Sequence, residues 1–106
     1  MKKFAYIQTV EGMTYCPDIF DTQEVAEAHM VIDFFDHADL AGLSRHCYAE
    51  NGDDINIEAA HKMYQAYMGL HINDSLARIR LGLMPMANAT NEEGCEWKGI
   101  IYSIEV

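Results

Sequence analysis

Residues 21–37, DTQEVAEAHMVIDFFDH, decide the fold of this 106-residue chain. Apolar side chains recur there every three or four residues, which is the spacing of an amphipathic helix. Asp21 stands directly before this pattern and Glu24 follows three residues later, as in an N-cap with a capping-box partner. We therefore predict a helix over about residues 22–37 that begins after an Asp21 cap.

The patterns on either side of this helix predict strands at both ends of the chain. The predicted elements are strands 3–10 and 13–20, a short helix 39–49, a helix 56–71, a strand 76–84, a polar loop 85–95 and a strand 96–105. Pro17 lacks an amide donor, which places the second strand at a sheet edge. This order indicates one α+β domain over residues 1–106, with an antiparallel sheet of about four strands covered on one face by two or three helices.

The negative charge of the chain is concentrated in its middle third. The formal net charge is −10, and residues 18–58 contain eleven carboxylates but only one cation, Arg45. The carboxylates are those of Asp18, Asp21, Glu24, Glu27, Asp33, Asp36, Asp39, Glu50, Asp53, Asp54 and Glu58. An anionic surface repels nucleic acid and membranes and attracts basic proteins. We therefore expect a basic protein partner, no direct contact with nucleic acid and no membrane association.

Part of this acidic segment is predicted to form a partner-binding surface. The predicted binding residues are Met30, Asp33, Phe34, Asp36, Asp39, Glu50, Asp53 and Asp54. The carboxylates would meet basic side chains of the partner, and Met30 with Phe34 would supply an apolar anchor, because desolvated anchors prolong a complex. The same two residues, which point away from the main apolar stripe of the helix, would alternatively pack between the sheet and a neighbouring helix.

The charge pattern favours a non-enzymatic inhibitor. Proteins that bind duplex DNA read its phosphate array with Lys and Arg, so a rigid row of carboxylates can occupy the same basic groove. Small acidic proteins of phages and mobile elements that block host defence, such as anti-CRISPR proteins, are comparable in size and composition alone. We expect a nucleic-acid mimic that docks on a nucleic-acid-handling complex. Its predicted location is the cytoplasm, that of the host cell if the gene belongs to a phage.

Two other functions remain open at this stage. The first is a homodimeric scaffold that uses Met30 and Phe34 as its contact. The second is a metal-binding enzyme or sensor built on His29, Asp33 and His37, which recur every four residues on one helix face. That face lies beside the apolar stripe, so we expect it to be solvated.

Familiar catalytic motifs are absent from the sequence. It contains no glycine-rich phosphate loop, no zinc-protease motif and no nucleophile elbow. We therefore predict no cofactor, no metal and no catalytic residues.

Overall fold

The computed structural model describes residues 1–38, 41–50, 52, 54–70, 77–80, 86–90 and 93–106, with backbone only at 41, 67–70 and 77–80. Six strands and three α-helices are described: β1 (Lys2–Val10), β2 (Met13–Thr14), β3 (Asp18–Phe20), α1 (Gln23–His37), α2 (Ala41–Ser44), α3 (Ile57–Leu70), β4 (Ala77–Arg80), β5 (Met86–Thr90) and β6 (Glu96–Glu105). A short 3₁₀ turn, Arg45–Cys47, follows α2.

The strands form one antiparallel sheet in the order β2-β1-β6-β5-β4, and β3 pairs with the same edge of β1 as β2. The prediction of an α+β domain is confirmed. The predicted number of strands is too low, because the expected loop over residues 85–95 contains β5. The predicted strand 13–20 is divided into β2 and β3 by a segment that contains Pro17, and both lie at the sheet edge.

The start of α1 differs by one residue from the prediction. Thr22, not Asp21, is the N-cap, and its hydroxyl accepts a hydrogen bond from the Val25 amide at 3.3 Å. Asp21 forms an ion pair with Lys3 of β1 instead. Both residues are good caps in isolation, so the pairing of Asp21 with the neighbouring strand decides between them.

Helix α1 is enclosed between the sheet and the other helices. One side contacts β1, β5 and β6, and α2 and α3 also pack against α1. Met30 and Phe34 have no solvent exposure, and the Phe34 ring lies 6.5 Å from the ring of Trp97 in β6. The prediction that these two residues anchor a partner, or form a dimer contact, is therefore wrong. A helix that is apolar on two sides is buried on both of them.

The later elements agree with the predictions within a few residues. α3 occupies all but the ends of the predicted helix 56–71, and the Asn56 side chain caps it by accepting from the Ala59 amide at 3.0 Å. The predicted helix 39–49 is shorter, limited to α2 and the following 3₁₀ turn. The end of the predicted strand 76–84 lies outside the described residues. Among the helices described, none is both long and apolar enough to cross a bilayer.

Gly99 of β6 allows two large aromatic rings to cover the sheet. A Cβ atom at this position would lie 2.8 Å from Cη2 of Trp97 and 3.1 Å from Cε1 of Tyr6. Because both rings are buried, they cannot move aside without disturbing the core. We expect Gly99→Ala to lower the free energy of unfolding by about 1–2 kcal/mol, measured by urea denaturation.

Gly42 of α2 provides the matched control. A Cβ atom there meets nothing within 4 Å, and alanine is favoured over glycine in a helix by about 0.5–1 kcal/mol. Gly42→Ala should therefore leave stability unchanged or raise it slightly. Equal effects of the two substitutions would contradict the close packing at Gly99.

Candidate functional site

Four polar side chains line one flank of α1. They are those of His29, Asp33, Asp36 and His37, and Asp18 of β3 lies opposite them. We call these five residues the acidic flank. Spacings of three and four residues place the helical members on one side of α1. Asp18 joins them because β3 pairs it with Tyr6 of β1, directly beneath α1.

Asp33 is held at the centre of the acidic flank by a tyrosine of the sheet. The Tyr6 hydroxyl donates a hydrogen bond of 2.8 Å to Oδ2 of Asp33. Tyr6 is almost completely buried and Asp33 is half-buried. Burial and the negative charge of Asp33 raise the pKa of Tyr6, so its hydroxyl remains a donor at neutral pH. We expected this face of α1 to be solvated, and Asp33 is only partly so.

The two histidines of the acidic flank stack on aromatic rings. His29 lies on Phe20 of β3 with ring centres 4.5 Å apart. His37 lies nearly parallel to Trp97, with centres 5.4 Å apart and an angle of 7° between the ring planes. The Trp97 indole in turn donates to Oε1 of Gln8 in β1 at 2.9 Å. These contacts fix both ends of the acidic flank to the sheet.

Three carboxylates of the acidic flank act on shared neighbours or on one another. The charges of Asp33 and Asp18 both bear on Tyr6 and on His29, and the charge of Asp36 bears on Asp33. Burial raises the pKa of Asp33 and the charge of Asp36 raises it further, although the Tyr6 hydrogen bond opposes the shift. Carboxylates from two elements thus converge at one place.

The half-buried position of His29 keeps it from neutralising this charge. Burial lowers the pKa of His29 below its ordinary value of 6.5, against the opposing effect of Asp33 and Asp18. The imidazole is therefore uncharged at neutral pH. The acidic flank retains its negative field where a protonated histidine would have reduced it.

The predicted binding residues do not all lie on one part of the surface. Asp33 and Asp36 belong to the acidic flank, and Asp36 is exposed. Glu50 and Asp54 are exposed on a loop whose ends are joined by a bridge between Tyr48 and Ile55. This loop follows Cys47, a residue on which the charge of Asp36 acts. Asp39 and Asp53 lie outside the described residues.

Several other carboxylates of the acidic segment are engaged within the protein. Asp21 pairs with Lys3, and Glu58 pairs with Lys62 one turn later in α3. Glu27 is buried. Its Oε1 accepts a hydrogen bond from the side-chain amide of Gln23 at 2.8 Å, and its Oε2 lies 3.7 Å from Nε2 of His61. These three contribute less to an external surface. Asp18 and Asp36 are exposed and form no ion pair among the described residues.

The geometry does not assemble a metal centre from the described side chains. No three His, Cys, Asp or Glu residues in the described ranges are placed to hold a metal ion. His29 and His37 stack on rings, and Asp33 accepts from Tyr6, so these side chains face different neighbours. Burial, with the charge of Asp36, raises the pKa of Cys47 to about 11, so this thiol is protonated at neutral pH and is a poor nucleophile.

A shallow groove of about 400 Å³ lies elsewhere, at the end of the sheet formed by β5 and β6. Its lining includes Asn88, Glu96 and Lys98, which are exposed, and Thr9, which is partly exposed. The buried Trp97 also lines it, but its indole N–H is already donated to Gln8, so the lining residues offer no free buried polar group of the kind that orients a small ligand.

Two residues at the acidic flank, Asp18 and Tyr6, are not among the predicted binding residues. Asp18 was named above only as one carboxylate of the acidic segment, and Tyr6 lies within the predicted strand 3–10. Alternation along a strand puts Asp18 and Phe20 on one face, but only the pairing of β3 with β1 brings Asp18 to α1.

No protein-family model matches this chain, and no curated protein or solved structure matches it.

Proposed function

We propose that this chain is a small acidic binding protein that docks the acidic flank of α1 on a basic surface of a nucleic-acid-handling complex. In this role it is an inhibitor or nucleic-acid mimic of the anti-defence type, of which anti-CRISPR proteins are examples, and it carries out no catalysis. The observation that carries the proposal is the convergence of carboxylates from a strand and a helix: Asp18 and Asp33 both act on Tyr6 and His29, and Asp36 acts on Asp33.

The arrangement of Asp33 supports a role beyond solubility. A carboxylate that is desolvated and lies beside other carboxylates destabilises the folded state in its charged form. A fully exposed carboxylate would serve solubility equally well without that cost. Residues that weaken the fold in this way are concentrated at functional sites.

The rigidity of the acidic flank also supports mimicry. Asp33 is fixed by Tyr6, and the flanking histidines are fixed by Phe20 and Trp97. Side chains that are already ordered lose little entropy on binding, so a partner meets a preformed array of charges. The exposed Asp18 and Asp36 would make the first contacts with Lys and Arg side chains.

Affinity capture tests this proposal. The tagged chain is incubated at low salt with a lysate of its source organism and eluted with a NaCl gradient. We expect a nucleic-acid-binding protein to be released as salt rises, because ion pairs between exposed groups are screened. Addition of the chain should then displace a labelled oligonucleotide from that protein. A partner that resists high salt, or binds chain and oligonucleotide together, would contradict mimicry.

A further inference from the structure

An exposed tyrosine lies on the same sheet edge as Asp18 of the acidic flank. Tyr15 follows β2 directly, and its amide donates a hydrogen bond of 2.9 Å to the carbonyl oxygen of Gln8 in β1. The Gln8 side chain accepts from the indole of Trp97, which belongs to the core that α1 covers. Because neighbours on paired strands project to the same face, Tyr15 also projects from the helix-covered face of the sheet.

Tyr15 and Asp18 are close together along this edge. β3 pairs Asp18 with Tyr6, and the Tyr15 amide bonds to Gln8, two residues further along β1. Alternate residues of a strand lie ~6.8 Å apart on one face, so the backbones at Tyr15 and Asp18 are separated by a similar distance. One long side chain of a partner can therefore contact both residues at once.

The side chains around Asp18 on this edge are apolar and largely open to solvent. Tyr15 is 54% exposed and Met13 is 68% exposed. Met13 shares the helix-covered face, because it pairs with Val10, which packs against the core. Phe20, on the other side of Asp18, is partly buried against the same core. Exposed apolar side chains rimmed by charged groups are typical of a surface that contacts another molecule.

An aromatic ring beside carboxylates matches the chemistry of an arginine side chain. The guanidinium group is planar, pairs with a carboxylate through two parallel N–H donors, and stacks on aromatic rings. The ammonium group of lysine is a compact and more strongly hydrated charge. Tyr15 supplies the ring, while Asp18 supplies the charge together with Asp33, which acts on the same histidine. Charge complementarity selects a basic side chain, and the ring selects arginine over lysine.

We propose that Tyr15 and Asp18 form an arginine site, in which a guanidinium group of the basic partner pairs with Asp18 and stacks on the Tyr15 ring. Because this site is part of the acidic flank, it depends on the function proposed above and names the side chain that the flank recognises. Met13 packs along the methylene groups of the same arginine, which bury readily on apolar surface. Tyr15 thus supplies the anchor that the buried Met30 and Phe34 do not.

Calorimetric titration of the full chain with hexa-arginine and hexalysine peptides at low salt tests the proposal. We expect hexa-arginine to bind more tightly, and we expect Tyr15→Leu to reduce its advantage over hexalysine by about two- to fivefold, the strength of one exposed cation–π contact. Tyr15→Phe retains a ring and should retain the advantage. Tyr102→Leu is the matched control, since Tyr102 is 41% exposed but pairs with Ala5 on the face away from α1. Circular dichroism checks that the variants fold.

Proton NMR of the bound hexa-arginine peptide gives a second measurement that does not depend on affinity. Methylene protons of an arginine that stacks on a ring shift upfield, and this shift should be lost with Tyr15→Leu and kept with Tyr102→Leu. Salt-sensitive binding of both peptides, with the same arginine advantage in wild type and Tyr15→Leu, would overturn the arginine site while the acidic flank remains a surface for basic partners. If neither peptide binds at low salt, the acidic flank itself is contradicted, and the arginine site with it.

Discussion

Reversal of two exposed charges, Asp18→Lys with Asp36→Lys, is expected to weaken binding to the captured partner about 30-fold or more. Each substitution removes an attractive contact and adds a repulsive one, at the place where the carboxylates of the acidic flank converge. Both residues are exposed, so the fold should tolerate lysine. Surface plasmon resonance at near-physiological salt would measure the loss, most of it as slower association.

Charge reversal at Glu58 and Glu105 gives the matched control. Both are highly exposed, and they pair with Lys62 and the chain N-terminus rather than with the acidic flank. This double variant changes the net charge by the same amount, so long-range attraction falls equally in both proteins. We expect a loss of only a few-fold. If the two double variants bind equally weakly, net charge rather than a defined surface governs the interaction.

Removal of the Tyr6 hydroxyl is expected to lower the free energy of unfolding by about 1.5–3 kcal/mol at pH 7, because Tyr6→Phe takes the donor from a half-buried carboxylate. In an Asp33→Asn background the same change should cost only about 0.5–1.5 kcal/mol, since the acceptor is then neutral. Asp33→Asn alone should stabilise the protein at pH 7, because it removes a desolvated charge and retains an oxygen for Tyr6. Urea unfolding, followed by fluorescence of the single tryptophan, measures all four proteins.

The pH dependence of these variants follows from the raised pKa of Asp33. A carboxyl group whose pKa is higher in the folded state binds more protons there, so its contribution to stability is fully present below the unfolded pKa and is lost as pH rises through the folded pKa. The stabilisation by Asp33→Asn should therefore be largest at pH 7 and disappear near pH 4. An advantage that is independent of pH, or that grows in acid, would contradict the burial of a charged Asp33.

The sequence predicted those parts of the fold in which local pattern and packing agree. The long helices and the first and last strands have clear periodicity, and Pro17 marked the sheet edge correctly. β5 was missed because Ala87, Asn88 and Ala89 have weak strand propensity. Ala87 and Ala89 are buried on the face that α1 covers, while Asn88 is exposed on the other face. β5 forms because it pairs with β6, and strand propensity depends strongly on such context.

The candidate site was less predictable, because it depends on which elements meet. Met30 and Phe34 lie away from the main apolar stripe of α1, a pattern that fits either a sandwiched helix or a contact surface. Both are buried, and the Phe34 ring lies near Trp97 of β6, a contact that the pattern of α1 alone does not predict. On the helical wheel Asp33 lies on the solvated side. Only the position of β1 shows that the Tyr6 hydroxyl donates a hydrogen bond to it.

Titration of the ¹⁵N-labelled chain with a short oligo-arginine peptide tests most directly whether the carboxylates form one shared anionic surface. The account predicts that amide shifts concentrate at Asp18, Asp33 and Asp36, together with the Trp97 indole, and that raised salt removes them. Shifts spread evenly over separate carboxylates such as Glu24, Glu58 and Glu105 would contradict it.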